Sequence, residues 1–141
     1  MADPTAGVLY ADTSALVKLV VREAESEATA AEVARWDRIA TSDIAAIELP
    51  RATARARADG RLDVADGRVV LELLAALMVV PLSDEVRALA ATMGPVELRT
   101  LDAIHLAAAL TLGDDLAGVL TYDYRMADAA RARDVEVIAP S

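Results

Sequence analysis

Cysteine is absent from the chain and histidine occurs once. A disulfide framework and thiol chemistry are thereby excluded, and a structural zinc site has almost no ligands to draw on. Phenylalanine is missing too, and aromatics make up only 3% of a chain that is 55% hydrophobic. The core must therefore come from Ala, Val, Leu and Ile, which suits closely packed helices on a sheet. No apolar run reaches the ~18 residues that a bilayer crossing needs, and no charged-then-apolar leader precedes a cleavage site. These absences set the expectation of a cytoplasmic location without a membrane. Positive charge is also short: 14 Lys and Arg face 23 Asp and Glu, a net of −9. Sequence-independent nucleic-acid binding normally rests on a basic surface. Either no nucleic acid is involved, or cations and a local arginine patch overcome the global charge. The same acidity favours a basic protein partner through long-range steering.

What is present reads as one domain over residues 1–141, long enough to bury a real core. Short apolar runs alternate with amphipathic stretches. Gly7 to Tyr10 is a buried strand, followed by a short helix from Asp12-Thr13-Ser14 to about Val21 and a second over Ser26 to Trp36. Arg38 to Thr41 is a short strand, and Ser42 or Asp43 caps a helix to about Asp59 with Pro50 inside it. A proline that deep removes a backbone bond and kinks the helix unless it starts later. Asp63 to Leu77 is a helix, Met78 to Leu82 a buried strand, and Ser83-Asp84 cap a helix ended by Gly94-Pro95. Thr100 caps a deeply packed helix in which Leu101, Ile104, Leu106 and Leu110 surround an Ala-rich stripe. Gly113 to Gly118 is a turn, Val119 to Thr121 a strand, Tyr122 to Arg133 leads into a helix, and Val135 to Ile138 is the last strand. Strands alternating with helices predict a mostly parallel sheet covered on both faces, an α/β fold.

Four acids carry the chemistry. Asp12 and Asp123 each follow a strand, where open α/β sheets place their ligands, while Asp102 and Glu48 sit on helices that could pack nearby. Each has a plain structural alternative: Asp12 and Asp123 suit helix N-caps, Asp102 complements a helix start, and Glu48 suits a solvated face. Crowded together, the four would repel and hold their pKa values up, a conflict that a hard cation resolves. Mg²⁺ and Mn²⁺ prefer carboxylate and water oxygens, and such an ion supplies what phosphodiester hydrolysis needs. Thr13 and Ser14 could orient a metal-bound water or receive a phosphate oxygen. Arg51 and Arg55, four apart on one helix face, with Arg57 and Arg61 beyond, form the best local patch for phosphate or an acidic partner. His105, one turn after Asp102, reads as a buried, hydrogen-bonded residue rather than a ligand.

Four pieces of the chain resemble a known family: the opening strand with Asp12-Thr13-Ser14, then Ile47-Glu48-Leu49-Pro50-Arg51-Ala52, then Leu101-Asp102-Ala103-Ile104-His105-Leu106-Ala107, and finally Thr121-Tyr122-Asp123-Tyr124-Arg125-Met126. In this order, and spanning nearly the whole chain, they resemble PIN-domain ribonucleases, specifically the VapC-type toxins of bacterial toxin–antitoxin pairs. The resemblance implies a three-layer α/β/α fold around a parallel sheet and Mg²⁺- or Mn²⁺-dependent endonuclease action on RNA. It implies an acidic quartet of Asp12, Glu48, Asp102 and Asp123. Within it Asp12 and Asp102 are direct ligands, Asp123 completes the site, often through water, and Glu48 binds a second cation or orients the attacking water. Ser14, Thr13 and Thr121 match supporting positions, and Arg51, Arg55 and Arg125 are candidate contacts for RNA or antitoxin. A homodimer silenced by a cognate VapB-type antitoxin is implied as well. The competing readings are a non-catalytic PIN-like binding module and a receiver-type phosphoacceptor, the latter disfavoured because no lysine follows Val119.

Overall fold

The computed structural model describes residues 3–141. Five strands form one sheet: β1 (Val8–Ala11), β2 (Ile39–Ser42), β3 (Met78–Val80), β4 (Leu116–Leu120) and β5 (Val137–Ile138). Their order is β3-β2-β1-β4-β5, and every pairing is parallel. From β1 the chain works outward through β2 to β3, then returns to the other side of β1 with β4. The direction reverses between β1 and β4, which makes the carboxyl ends of those two strands the switch point where such sheets bind ligands.

Seven helices occur among the described residues: α1 (Thr13–Val17), α2 (Ser26–Val33), α3 (Ala45–Ala58), α4 (Gly67–Ala75), α5 (Asp84–Ala91), α6 (Thr100–Leu110) and α7 (Tyr124–Arg131). The period-2 alternation of a strand sorts them into layers. Val8 and Tyr10 of β1 face a cluster with Val86 of α5, Leu106 and Ala107 of α6 and Met126 of α7. Leu9 and Ala11 face the opposite cluster with Leu16 of α1, Leu49 of α3 and Val70 of α4. The central strand is thus buried on both faces, as the sequence expectation of a covered parallel sheet requires. Ala107, Ala108 and Ala109 are all fully buried, so α6 rests on the sheet through small side chains. No described helix is long and apolar enough to cross a membrane.

Several local expectations are corrected. The helix expected from Asp63 begins at Gly67 with Asp66 as its cap, because Val64 is drawn into an antiparallel bridge with Val21. Neither Ser42 nor Asp43 caps α3 as an N-cap: that position is Ile44, and Asp43 instead accepts from the Leu82 amide. The chain stays helical through Pro50 although α3 starts at Ala45, earlier than the proline suggests. Likewise Arg99, not Thr100, occupies the cap position of α6, and Leu101 is exposed. The strand Met78–Val80 lies at the sheet edge with Met78 and Val79 largely exposed, so its apolar run does not mark burial. Finally β4 starts at Leu116, inside the expected turn, after a short 3-10 turn over Gly113–Asp115.

Candidate active site

Asp12 leaves β1 and Thr121 leaves β4 side by side. The register pairs Ala11 with Leu120, and the Asp12 amide extends the ladder by donating to the Leu120 carbonyl at 3.2 Å. Asp12 is nearly sealed from solvent, at 3% exposure. Its Oδ1 accepts from the Ser14 hydroxyl at 2.6 Å and from the Ala15 amide at 3.1 Å, and its Oδ2 accepts from the Thr121 hydroxyl. The aspartate is therefore an N-cap and a site residue at once; the two readings of the sequence do not compete. Burial pushes the Asp12 carboxyl above its usual range, and the Ser14 and Thr121 hydroxyls oppose that push without cancelling it. An ionised carboxylate has about four lone-pair directions, and these three donors leave one on Oδ2.

Ser14 and Thr121 also lock the strand ends together. Ser14 accepts from the Tyr122 amide at 2.9 Å, and Thr121 accepts from the Asp123 amide at 3.1 Å. Asp123 in turn caps α7, taking the Met126 amide at 3.0 Å on Oδ1. Asp102, in the first turn of α6, completes an acidic trio. Its carboxyl rises from 3.8 to about 6, first through burial and then through the charges of Asp123 and Asp12, with His105 and Arg99 opposing. Its Oδ2 is buried with no hydrogen-bond partner among the described residues. A buried carboxylate oxygen without a donor is costly, and it is the feature here that a cation would relieve.

Glu48 stands apart from the trio. Its Oε1 accepts from the Thr13 hydroxyl at 2.6 Å and lies 2.7 Å from Nε2 of His105. Burial works to raise this carboxyl, yet the bonds from His105 and Thr13 outweigh it and hold it below its usual range. His105 is buried, and its Nδ1 lies 2.7 Å from the Tyr10 hydroxyl. This is the buried, hydrogen-bonded role expected of the single histidine. Burial likewise lifts the Tyr10 phenol far above its ordinary value; the Asp12 and Glu48 charges add to the effect and the nearby Ser42 and Thr41 hydroxyls oppose it.

The sequence-predicted residues thus fall into two linked groups at one edge, Asp12, Asp102 and Asp123 with Ser14 and Thr121, and Glu48 with Thr13. Among the described residues no three Asp, Glu or His side chains are gathered closely enough to hold an ion between them. The donor chemistry nevertheless fits a hard divalent cation: oxygen ligands only, like charges in mutual repulsion, and an orphaned carboxylate oxygen. Tyr10 was legible only as a strand residue. Its place two residues before Asp12, on the same face of β1, was the available signal.

The arginines divide in a telling way. Arg22, Arg35, Arg68, Arg87 and Arg131 pair with carboxylates, and Arg38, Arg57, Arg61 and Arg133 donate to backbone carbonyls. Among the described residues Arg51, Arg55, Arg99 and Arg125 do neither. They lie on α3, at the start of α6 and on α7, the elements that carry Glu48, Asp102 and Asp123. Arg51 and Arg55 line a groove of about 440 Å³ with Thr13, Glu48, Ile47 and Leu101. A larger cavity of about 610 Å³, between α5 and α6 beside Met93 and Val96, contains none of the four acids.

A parallel α/β/α sheet with carboxylates at its switch point is the architecture of a PIN domain; residues 9–132 match that family, and the chain belongs to it. Its curated relatives are of the VapC type. The chain is 42% identical to Ribonuclease VapC46 of Mycobacterium tuberculosis (strain ATCC 25618 / H37Rv) over 137 residues, which is 94% of this chain and 98% of the relative. It is 38% identical to Ribonuclease VapC47 of strain CDC 1551 / Oshkosh over 128 residues, 88% of this chain and 90% of the relative. Against Ribonuclease VapC35 of the same strain the identity is 37% over 140 residues, 94% and 97% of the two chains.

Proposed function

We propose that this chain acts as one domain, a Mg²⁺- or Mn²⁺-dependent endoribonuclease toxin of the cytoplasm, homodimeric and silenced by a cognate VapB-type antitoxin. The observation that carries the reading is the acidic trio at the β1/β4 switch point, with Asp102 Oδ2 buried and unpartnered beside the charges of Asp12 and Asp123. Asp12, Asp102 and Asp123 would hold the ion, and Glu48 would serve a second ion or orient the attacking water. When bound, the cation supplies a more acidic water and neutralises charge on the phosphate under attack. The protein's part is orientation. Ser14 and Thr121 fix both oxygens of Asp12, and the uncommitted Arg51, Arg55 and Arg125 are positioned to draw an RNA backbone to a chain that is acidic overall. The relatives are all named ribonucleases, which supports the substrate class.

A non-catalytic PIN module is the second reading, favoured by the lack of a closed ion-binding group among the described residues. Cleavage of total cellular RNA with Mg²⁺ or Mn²⁺, against a chelator control, separates the two. Cutting that disappears in Asp12→Asn and Asp102→Asn supports the nuclease; cutting that persists in both variants removes the site assignment. Co-purification with the antitoxin encoded beside it, and inhibition by that protein, tests the toxin role.

A further inference from the structure

We propose that Tyr10 and His105 form a buried relay that positions Glu48, holding the imidazole with its Nε2–H toward the glutamate so that one carboxylate oxygen is held and the other is left free for the site. The proposal rests on the nuclease reading only for the purpose of that aim; the relay itself is a property of the folded chain. Both donors to Glu48 converge on Oε1, Thr13 at 2.6 Å and His105 Nε2 at 2.7 Å, and Oε2 has no hydrogen-bond partner among the described residues. Oε2 is not sealed from solvent, and Glu48 lines a groove with Arg51 and Arg55.

The proton on Nε2 follows from donor counting. An ionised carboxylate only accepts, so Nε2 must carry a proton to approach Oε1 at 2.7 Å. The Tyr10 hydroxyl is buried, and Nδ1 is its hydrogen-bond partner among the described residues, at 2.7 Å. A proton on Nδ1 would instead be given to the phenol oxygen, whose own proton has the Ser42 and Thr41 hydroxyls beside it. With Nδ1 bare, Tyr10 donates to it, Nε2–H donates to Glu48, and every proton in the chain is used. Tyr10 belongs to the sheet, with its ring edge-on to the imidazole at 5.9 Å, so the orientation of Glu48 is referred to the buried central strand. The relay also ties the two helix layers together at the site, since Glu48 comes from α3 and His105 from α6 on the opposite face of the sheet. Outer partners that orient a ligand in this way typically change metal affinity or activity by about 10- to 100-fold when removed.

Because His105 is the only histidine, a uniformly ¹⁵N-labelled sample gives one pair of backbone-independent imidazole resonances. Long-range ¹H–¹⁵N correlation on the metal-free full chain at neutral pH reads the tautomer directly. The expected result is a wild-type ring protonated on Nε2, with an Nδ1 resonance that moves in Tyr10→Phe as its hydroxyl partner is lost. A wild-type ring that lacks the proton on Nε2, or that exchanges between tautomers, overturns the proposal. The second arm is kinetic. His105→Gln keeps an amide donor toward Glu48 and should retain most cleavage, whereas His105→Leu should lower kcat by about 10- to 100-fold with KM little changed. Equal loss in the two variants, with both folded by circular dichroism, also overturns it. If the wild type cuts no RNA, the nuclease reading fails and the spectroscopic arm still judges the relay.

Discussion

Replacing Asp102 by Asn should stabilise the metal-free protein while destroying its activity. The carboxyl is raised from 3.8 to about 6 by burial and by the charges of Asp123 and Asp12. A shift of that size corresponds to on the order of 3 kcal/mol of penalty on the ionised form before screening. Asp102 is partly exposed, so screening by solvent leaves about 1 kcal/mol. For a domain of this size that is a rise in Tm of about 3 °C. The sign follows from linkage. The folded state holds this proton more tightly than the unfolded chain, so the penalty is absent below about pH 4, grows as pH rises toward 6, and is complete above it. The gain in Asp102→Asn should therefore be full at about pH 8 and vanish near pH 4. Thermal unfolding followed by circular dichroism, at low ionic strength with a chelator present, measures it. Saturating Mg²⁺ or Mn²⁺ should then reverse the order, since an ion at about 100 times its Kd adds about 2.7 kcal/mol to a protein that can bind it. A variant no more stable than wild type at pH 8, or a gain equal at all pH values, would refute the reasoning.

Three further outcomes follow from other parts of the molecule. Thr121→Val keeps the shape but removes the donor to Asp12 Oδ2 and the acceptor of the Asp123 amide; metal affinity measured by calorimetry should fall by about 10- to 100-fold. Arg51→Ala with Arg55→Ala should raise KM for RNA while leaving stability unchanged, and flatten the dependence of log affinity on log salt by about 0.7 for each RNA phosphate that an arginine no longer neutralises. An unaltered salt slope would place the RNA elsewhere. Gly7→Ala would set a Cβ 2.7 Å from the Asp115 carbonyl and 2.9 Å from Ala117 Cβ, so denaturant unfolding should show a loss of about 1–3 kcal/mol without any change in the site.

The sequence alone determined what is local and periodic. Short apolar runs alternating with capped amphipathic stretches already point to a parallel α/β sheet, in which strands like Val8–Ala11 are buried on both faces. The acids were legible for the same reason: Asp12 and Asp123 follow strands, and a carboxylate after a parallel strand lies at the binding edge whatever the remaining order is. Strand burial was less legible. Met78 and Val79 carry the same apolar signature as a core strand, and their exposure depends on edge position, which is a property of the strand order. Side-chain partnerships across the chain were decided by the tertiary structure alone. Asp12 meets Thr121 across 109 positions, and Glu48 meets His105 across 57. Spacing in sequence cannot say which oxygen is held by a hydroxyl, which is left without a donor, or that the lone histidine joins a glutamate on one layer to a tyrosine in the sheet. Those depend on packing that fixes each rotamer, and packing exists only once the layers have closed on the sheet.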